Sequence, residues 1–177
     1  RNGDLLWDKS YGKEISEYAV DIEERDDYII IAAQVETSRR EPKTNQKNDN
    51  IWLLKLDNNG EMIWEKEFGA LGNDLCSKIL IDSVENILIG GSTQSVDSLG
   101  LNNRGGMDFL FMKVDKNGNL IHSKTYGGNM NDVSYSFSLN SSGEIYLAGY
   151  SQSLIGQKTK IIGGADYWII KIDLAEE

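Results

Sequence analysis

The chain has 177 residues, with 18 lysines and arginines against 28 aspartates and glutamates, so its formal net charge is −10. This charge argues against a nucleic-acid phosphate backbone or an anionic membrane surface as the partner, and no apolar run is long enough to cross a membrane. A single cysteine, Cys76, and a single histidine, His122, exclude an internal disulfide and a multi-cysteine zinc site. We predict no metal site, no cofactor, no nucleic-acid partner and no membrane insertion.

The sequence repeats itself three times. Residues 3–12, 60–69 and 118–127 align without a gap, each beginning and ending with glycine and sharing an aromatic residue before the last one. The offsets are 60 − 3 = 57 and 118 − 60 = 58 residues, and later segments keep this register to the end of the chain. We therefore divide one continuous domain into the repeats 1–59, 60–117 and 118–177.

Each repeat is predicted to contain four β-strands, because helical periodicity is absent and Gly, Asn, Asp and Ser interrupt the sequence at short intervals. In the second repeat the predicted strands span 61–68, 75–82, 86–92 and 108–115. The fourth is a continuous apolar run, which is typical of a strand buried on both faces, so we expect it near the centre of the molecule. Hairpin turns are predicted at 57–60 and 115–118 from their Asp-x-x-Gly pattern.

Two polar positions recur in every repeat, one acid five residues after the glycine that ends the opening segment and one amide or acid just before the fourth strand. The acids are expected to pair with lysines of the same repeat or to accept backbone N–H groups of a turn. The alternative is a ring of acids that binds cations or hydroxyls in a central channel. The candidate binding residues are Glu17, Asp74, Asp132, Asn50, Asp108 and Asp166. No catalytic residue is predicted, because no nucleophile elbow, phosphate loop or metal motif is present.

Large aromatic side chains also recur, and their expected role is packing between neighbouring units, where each ring buries roughly 150–250 Å². A histidine stands where the other two repeats have tryptophan, and we expect it to be packed and hydrogen-bonded. The predicted packing residues are Trp7, Trp64, His122, Trp52 and Trp168.

Four-stranded units of this length with regular glycines are typical of β-propeller blades. Residues 56–95 resemble the β-propeller repeat of bacterial secreted and surface proteins (the SBBP or delta-60-like type). The resemblance rests on Asp57, Gly60, Trp64, Phe68, Gly69, Asp74, Gly91, Thr93 and Ser95.

This resemblance implies an all-β fold of three four-stranded propeller-type blades. It also implies an extracellular, cell-surface or periplasmic location, although the chain contains no targeting segment. The third repeat departs from the pattern at His122, and the first departs at Glu17 and Ala33. A β-trefoil is the alternative fold.

The connection between the third and fourth strands varies in sequence but keeps its length, at 38–49, 96–107 and 154–165. Binding residues concentrate on such loops. We therefore expect a non-catalytic binding or adhesion scaffold that recognises a protein or a glycan through these loops. The alternative is a multivalent lectin with one glycan site per blade, and a third hypothesis is a hydrolase or lyase with acids in a central channel.

Three blades are fewer than the four to eight of closed propellers. We expect the remaining blades to come from the same longer chain or from a homo-oligomer, in which a dimer would give a six-bladed ring.

Overall fold

The computed structural model describes residues 2–13, 15–40, 47–95, 101, 103–154 and 163–173. Within these ranges the protein is all-β, with three antiparallel sheets, which confirms the predicted class. The same ranges contain no helix, and therefore no helix that is long and apolar enough to cross a membrane.

The sheets follow one another along the chain, and the strands of each sheet are paired in chain order. The first sheet contains β1 (Glu17–Arg25), β2 (Tyr28–Arg40), β3 (Lys47–Asp57) and β4 (Met62–Phe68). The middle sheet contains β5 (Asp74–Ile81), β6 (Ile87–Thr93), β7 (Asp108–Val114) and β8 (Leu120–Tyr126). The last sheet contains β9 (Asp132–Leu139), β10 (Ile145–Ser151) and β11 (Asp166–Ile172).

The sheets are offset from the sequence repeats by one strand. Strand β4 opens the second repeat, yet it pairs with β3, and Ile51 lies opposite Phe68 in this ladder. Strand β8 closes the middle sheet in the same way, with Phe109 opposite Tyr126. The sheets therefore do not coincide with 1–59, 60–117 and 118–177, because the first and middle sheets each take their fourth strand from the repeat that follows.

The four strands predicted for the second repeat are present, each within two residues of its predicted limits. In β7 every residue but Lys113 is buried, as expected for an interior strand. The corresponding strand of the third repeat, β11, differs because it pairs with β10 alone in the described structure. One of its faces is exposed, and Tyr167 and Ile169 are 83% and 54% accessible.

The predicted Asp-x-x-Gly turns are present and depend on the aspartate side chain. Asp57 Oδ1 accepts the N–H groups of Asn59 and Glu61, both at 2.8 Å. These N–H groups hold the pKa of Asp57 below its usual value. Gly60 closes the turn at φ +74°, in the left-handed region that glycine occupies without strain.

Two apolar layers hold the three sheets face to face. The first sheet packs on the middle sheet through a cluster that contains Leu53, Ile89 and Met112, all fully buried. The middle sheet packs on the last sheet through a second cluster, in which the rings of Phe111 and Phe137 meet edge to face at 6.3 Å. The described sheets do not close into a barrel, which the β-trefoil alternative would have required.

A β-bulge occurs at the same place in each sheet, in the strand that opens it. The extra residue is Val20, Ser77 or Tyr135, at the repeat offsets of 57 and 58. In the middle sheet the bulge lies opposite Gly91, where a Cβ would stand 1.9 Å from the Leu75 carbonyl oxygen. The bulge therefore explains the small residue at this position of the repeat.

Phe111→Ala removes a fully buried ring between the middle and last sheets, and we expect it to lower the free energy of unfolding by about 3–5 kcal/mol. The control is Ile121→Ala on β8, because Ile121 is 54% exposed and should cost far less when both variants are unfolded in urea.

Candidate binding end of the sheets

The six predicted binding residues lie at the same end of the three sheets. Glu17, Asp74 and Asp132 begin the strands that open each sheet, and Asp108 and Asp166 begin the third strand of the middle and last sheets. We call this the long-loop end, because it carries the links 12–16, 69–73 and 127–131 and the connection 94–107. The opposite end, with the turns at 57–61, 82–86, 115–119 and 140–144, is the hairpin end.

Cross-strand pairing places the two recurring polar positions in one row of each sheet. In the middle sheet Asp74 lies opposite Thr93, and Thr93 lies opposite Asp108. In the last sheet the row is Asp132, Ser151 and Asp166, and in the first it is Glu17, Val35 and Asn50. The sequence predicted the individual residues but not these rows.

The Asp74 carboxylate holds the link 69–73, between the first two sheets, in place through hydrogen bonds. It accepts hydrogen bonds from the Thr93 hydroxyl, from Ser95 Oγ at 2.6 Å and from the Ala70 N–H at 3.0 Å. Its side chain is 1% exposed, so its role in this structure is to hold residues of its own chain. Burial raises the pKa of Asp74 in spite of these three donors.

Asp132 and Glu17 repeat this arrangement. Asp132 Oδ2 accepts Ser153 Oγ and the Gly128 N–H, both at 2.8 Å, and Asp132 is 0% exposed. Glu17 is half-buried and accepts the Lys13 N–H at 3.0 Å. In each case the recurring acid accepts the N–H of the residue four positions earlier.

Asp108 is buried beside Asp132 at this end of the sheets. The pKa of Asp108 is raised to about 6, mainly by burial and also by the nearby Asp132 charge, while the Arg104 N–H at 3.0 Å opposes the shift. Two neighbouring carboxyl groups, one with a raised pKa, are the groups that acid–base hydrolysis uses. Here both are less than 2% exposed, so a substrate could touch them only after the loops moved.

Two further polar residues were missed by the sequence analysis. Gln34 is 1% exposed on β2; its Nε2 donates to the Asn50 carbonyl at 3.0 Å and to the Asp74 carbonyl, and its Oε1 accepts the Cys76 N–H at 3.2 Å. Ser92 stands at the same repeat position and accepts the Ser134 N–H at 2.8 Å. The sequence feature that could have revealed Gln34 is its place within the otherwise apolar stretch of β2.

The described part of the connection 96–107 is attached to the neighbouring link. Asn103 Nδ2 donates to the Thr93 carbonyl at 2.7 Å, and the Met107 N–H donates to Asn131 Oδ1 at 3.0 Å. Most of the three connections predicted to carry recognition, including residues 41–46, 96–100, 102 and 155–162, lies outside the described residues.

Large apolar side chains are exposed on the links around this end. Ile15 and Leu71 are each 46% accessible, Met130 is 50% and Leu154 is 61%. Because the acids behind them are buried, a ligand approaching this end would meet the apolar side chains first.

The tryptophans predicted to pack between units differ in burial. Trp52 is buried on the face of the first sheet that points away from the middle sheet, and its Nε1 donates to Glu65 Oε2 at 2.7 Å. Trp64 and Trp168 are half-buried, and the Trp168 ring lies 4.7 Å from that of Phe109.

The expectation of a packed, hydrogen-bonded His122 is wrong, because this side chain is exposed, and Trp7 is 40% exposed. The reason follows from the offset between repeats and sheets. Trp64 reaches across to the turn of the next sheet, where its Nε1 donates to the Lys116 carbonyl at 3.2 Å. The repeat equivalent of Lys116 is residue 174, which lies outside the described residues.

Within the described ranges, no three His, Cys, Asp or Glu side chains are grouped so that they could hold a metal ion. Neither a protein-family model nor a curated protein matches this chain. Among solved structures it is similar to a protein of unknown function from Bacteroides caccae, with 12% identity and a TM-score of 0.35. That similarity covers 81% of this chain and 56% of the other, so this chain spans little more than half of that protein's length. A likeness this distant carries no argument about function, and the resemblance to propeller repeats stays a prediction.

The raised pKa of Asp108 gives a pH dependence of known sign. The folded protein holds the Asp108 proton more tightly than the unfolded chain, so the resulting stabilisation is complete below about pH 4 and is lost as the pH rises through about 6. Asp108→Asn installs the residue found at the equivalent position 50. From pH 4 to 7 we expect its stability to rise relative to the parent protein by about 2–3 kcal/mol.

The control is Asp115→Asn, because backbone N–H groups lower the pKa of Asp115 and the sign is reversed. This variant should lose stability relative to the parent as the pH rises from about 3 to 5. Urea unfolding of the parent protein and both variants between about pH 3 and 7 measures both trends. Parallel stability curves for the parent protein and Asp108→Asn would contradict the burial argument.

Proposed function

We propose that this chain is a non-catalytic binding scaffold of propeller-type blades that recognises its ligand at the long-loop end. The supporting observation is the contrast within that end. Asp74 and Asp132 are held inside the protein by its own hydroxyl and N–H groups, whereas apolar side chains on the links and loops at this end are exposed, namely Leu71, Met130 and Leu154. Exposed apolar side chains at the same end of the sheets suit an interaction surface.

The stacking of the sheets supports the blade interpretation. Each sheet is a short antiparallel meander, and the middle one is covered by a sheet on both faces through separate apolar clusters. Radial stacking of such sheets is how propellers are built. An extracellular or surface location is part of the proposal and rests on the sequence resemblance alone.

A protein ligand fits this surface better than a glycan at each blade. The multivalent lectin hypothesis requires the recurring acids to reach sugar hydroxyls, and Asp74 and Asp132 are 1% and 0% exposed. Their hydrogen bonds within the chain would also have to be exchanged for bonds to the sugar, without a net gain in number. We therefore favour recognition through exposed side chains of the links and loops.

Ligands for the test come from panning a peptide library and from a glycan array, both against the parent protein. The triple variant Leu71→Ser, Met130→Ser and Leu154→Ser should reduce binding of the selected peptides at least tenfold, because it removes exposed apolar area at the long-loop end. Val84→Ser is the matched control, since Val84 is 69% exposed at the hairpin end. Titration calorimetry measures both affinities.

Asp74→Asn with Asp132→Asn separates the two hypotheses. If exposed side chains carry recognition, a folded double variant keeps the affinity of the parent protein. Selective glycan binding that this double variant abolishes, with Leu71, Met130 and Leu154 unimportant, would replace the scaffold proposal with the lectin.

A further inference from the structure

The segment 4–11 has the sequence of a strand but belongs to none of the described sheets. It corresponds by repeat to β4 and β8, which are the fourth strands of the first and middle sheets. Yet it makes ordered contacts: Tyr11 OH donates to the Gly60 carbonyl at 2.6 Å, and Lys9 pairs with Glu61. Tyr11 also packs on the outer face of the first sheet, meaning the face that points away from the middle sheet.

These contacts repeat those that β4 makes with the middle sheet. Around Gly60, a Cβ would lie 3.0 Å from Lys9 Cδ and 3.1 Å from Trp7 Cζ3. Around Gly118, a Cβ would lie 2.6 Å from Cγ of Lys66, the repeat equivalent of Lys9. Segment 4–11 therefore lies on the first sheet where β4 lies on the middle sheet, namely as the fourth strand of a sheet that would come before the first.

The last sheet lacks such a strand in the described structure. Its edge strand β11 is the repeat equivalent of β3 and β7, which pair with β4 and β8. The two existing ladders fix the expected register. Ile51 opposite Phe68 and Phe109 opposite Tyr126 translate into Tyr167 opposite Tyr11.

We propose that segment 4–11 of a second copy of this chain completes the last sheet by pairing with β11 in this register. The outer face of the last sheet, with Tyr167 and Ile169, then packs on the outer face of the second copy's first sheet. This inference rests on the proposed blade arrangement. Two copies that exchange these segments form a closed ring of six sheets, within the range of closed propellers, whereas three copies would give nine.

The residues that would meet at this junction are complementary. In the first sheet, Trp52 Nε1 donates to Glu65 Oε2. The equivalent positions at the proposed junction hold Trp168 and the second copy's Asp8, again an indole and a carboxylate. The middle sheet has Leu110 and Ser123 at these positions, so the acid is present in the two rows that have the tryptophan and absent from the row that lacks it.

The outer face of the first sheet has room for the incoming side chains. It carries an open groove of about 380 Å³, lined by Trp7, Tyr18, Ile22, Ile29 and Trp52 among others. Tyr18 and Ile22 are 59% and 60% exposed there. The outer face of the first sheet lies beside segment 4–11, and the outer face of the last sheet includes the unpaired edge strand β11. A head-to-tail pair of copies would cover both of these exposed apolar faces.

Cross-linking tests the register. By repeat, position 9 lies opposite position 169, as Lys124 lies opposite Phe111. Lys9→Cys protein is mixed with Ile169→Cys protein and oxidised, and we expect a band at twice 19.8 kDa on non-reducing electrophoresis. Asp8→Cys mixed with Ile169→Cys is the control, because neighbouring residues of a strand point to opposite faces. Cys76 does not interfere, since it is buried and its pKa is raised to about 12.

Light scattering tests the assembly. The parent protein should have twice the mass of one chain, and Tyr167→Glu with Ile169→Glu should halve that mass with an unchanged circular dichroism spectrum, since both residues are exposed in the single chain. A parent monomer would overturn the inference and leave the two faces to further blades of a longer chain. Equal cross-linking at positions 8 and 9, or an assembly larger than two copies, would overturn it as well.

These results are separable from the proposed function. A dimer that binds no selected ligand contradicts the function alone. A monomer that binds a ligand at the long-loop end contradicts the exchange of segment 4–11 alone.

Discussion

Each of the three described sheets has apolar side chains on both of its faces, and burying both faces of a sheet takes a neighbour on each side. The middle sheet satisfies this requirement completely, since Leu110 and Met112 point to one neighbour and Phe109 and Phe111 to the other. The first and last sheets satisfy it on one side. The offset between repeats and sheets also holds neighbouring sheets together. Because β4 and β8 begin one repeat but pair with strands of the repeat before it, the covalent chain links adjacent sheets in addition to their apolar contacts.

The strands and turns were predictable because they depend on local sequence. Alternation, glycine spacing and the Asp57 turn are short-range patterns, and the structure reproduces them. The grouping of strands into sheets was not predictable in this way, because a periodic sequence looks the same wherever the unit is cut. The error at His122 illustrates this. Its position was expected to have the environment of Trp64, but Trp64 contacts the Lys116 carbonyl of the next sheet, and the repeat equivalent of Lys116 is residue 174, outside the described part of the chain.

The candidate site was partly predictable for the same reason. Recurrence singled out Asp74, Asp132 and Asp108 as polar positions that matter, and the structure brings them to one end of the sheets. Recurrence could not tell whether these carboxylates face a ligand or their own chain. That depends on Ser95 and Ser153 and on the N–H groups of the links, which approach only when the strands are paired. Gln34 escaped notice because its equivalents are serine and tyrosine, so no residue type recurs.

The polar contacts of Gln34 and Ser92 determine how neighbouring sheets are aligned. An apolar layer resists separation but offers little resistance to sliding, because its contacts have no direction. A buried amide or hydroxyl that must meet one particular N–H group does resist sliding, since displacement leaves it without a partner. At the equivalent position the last sheet has Tyr150, whose ring is tilted against that of Tyr135 with their centres 5.9 Å apart. A neighbour on that face would therefore be aligned without a buried amide or hydroxyl of this kind, and hydrogen bonding along the edge strand β11 would be the directional contact that sets its position.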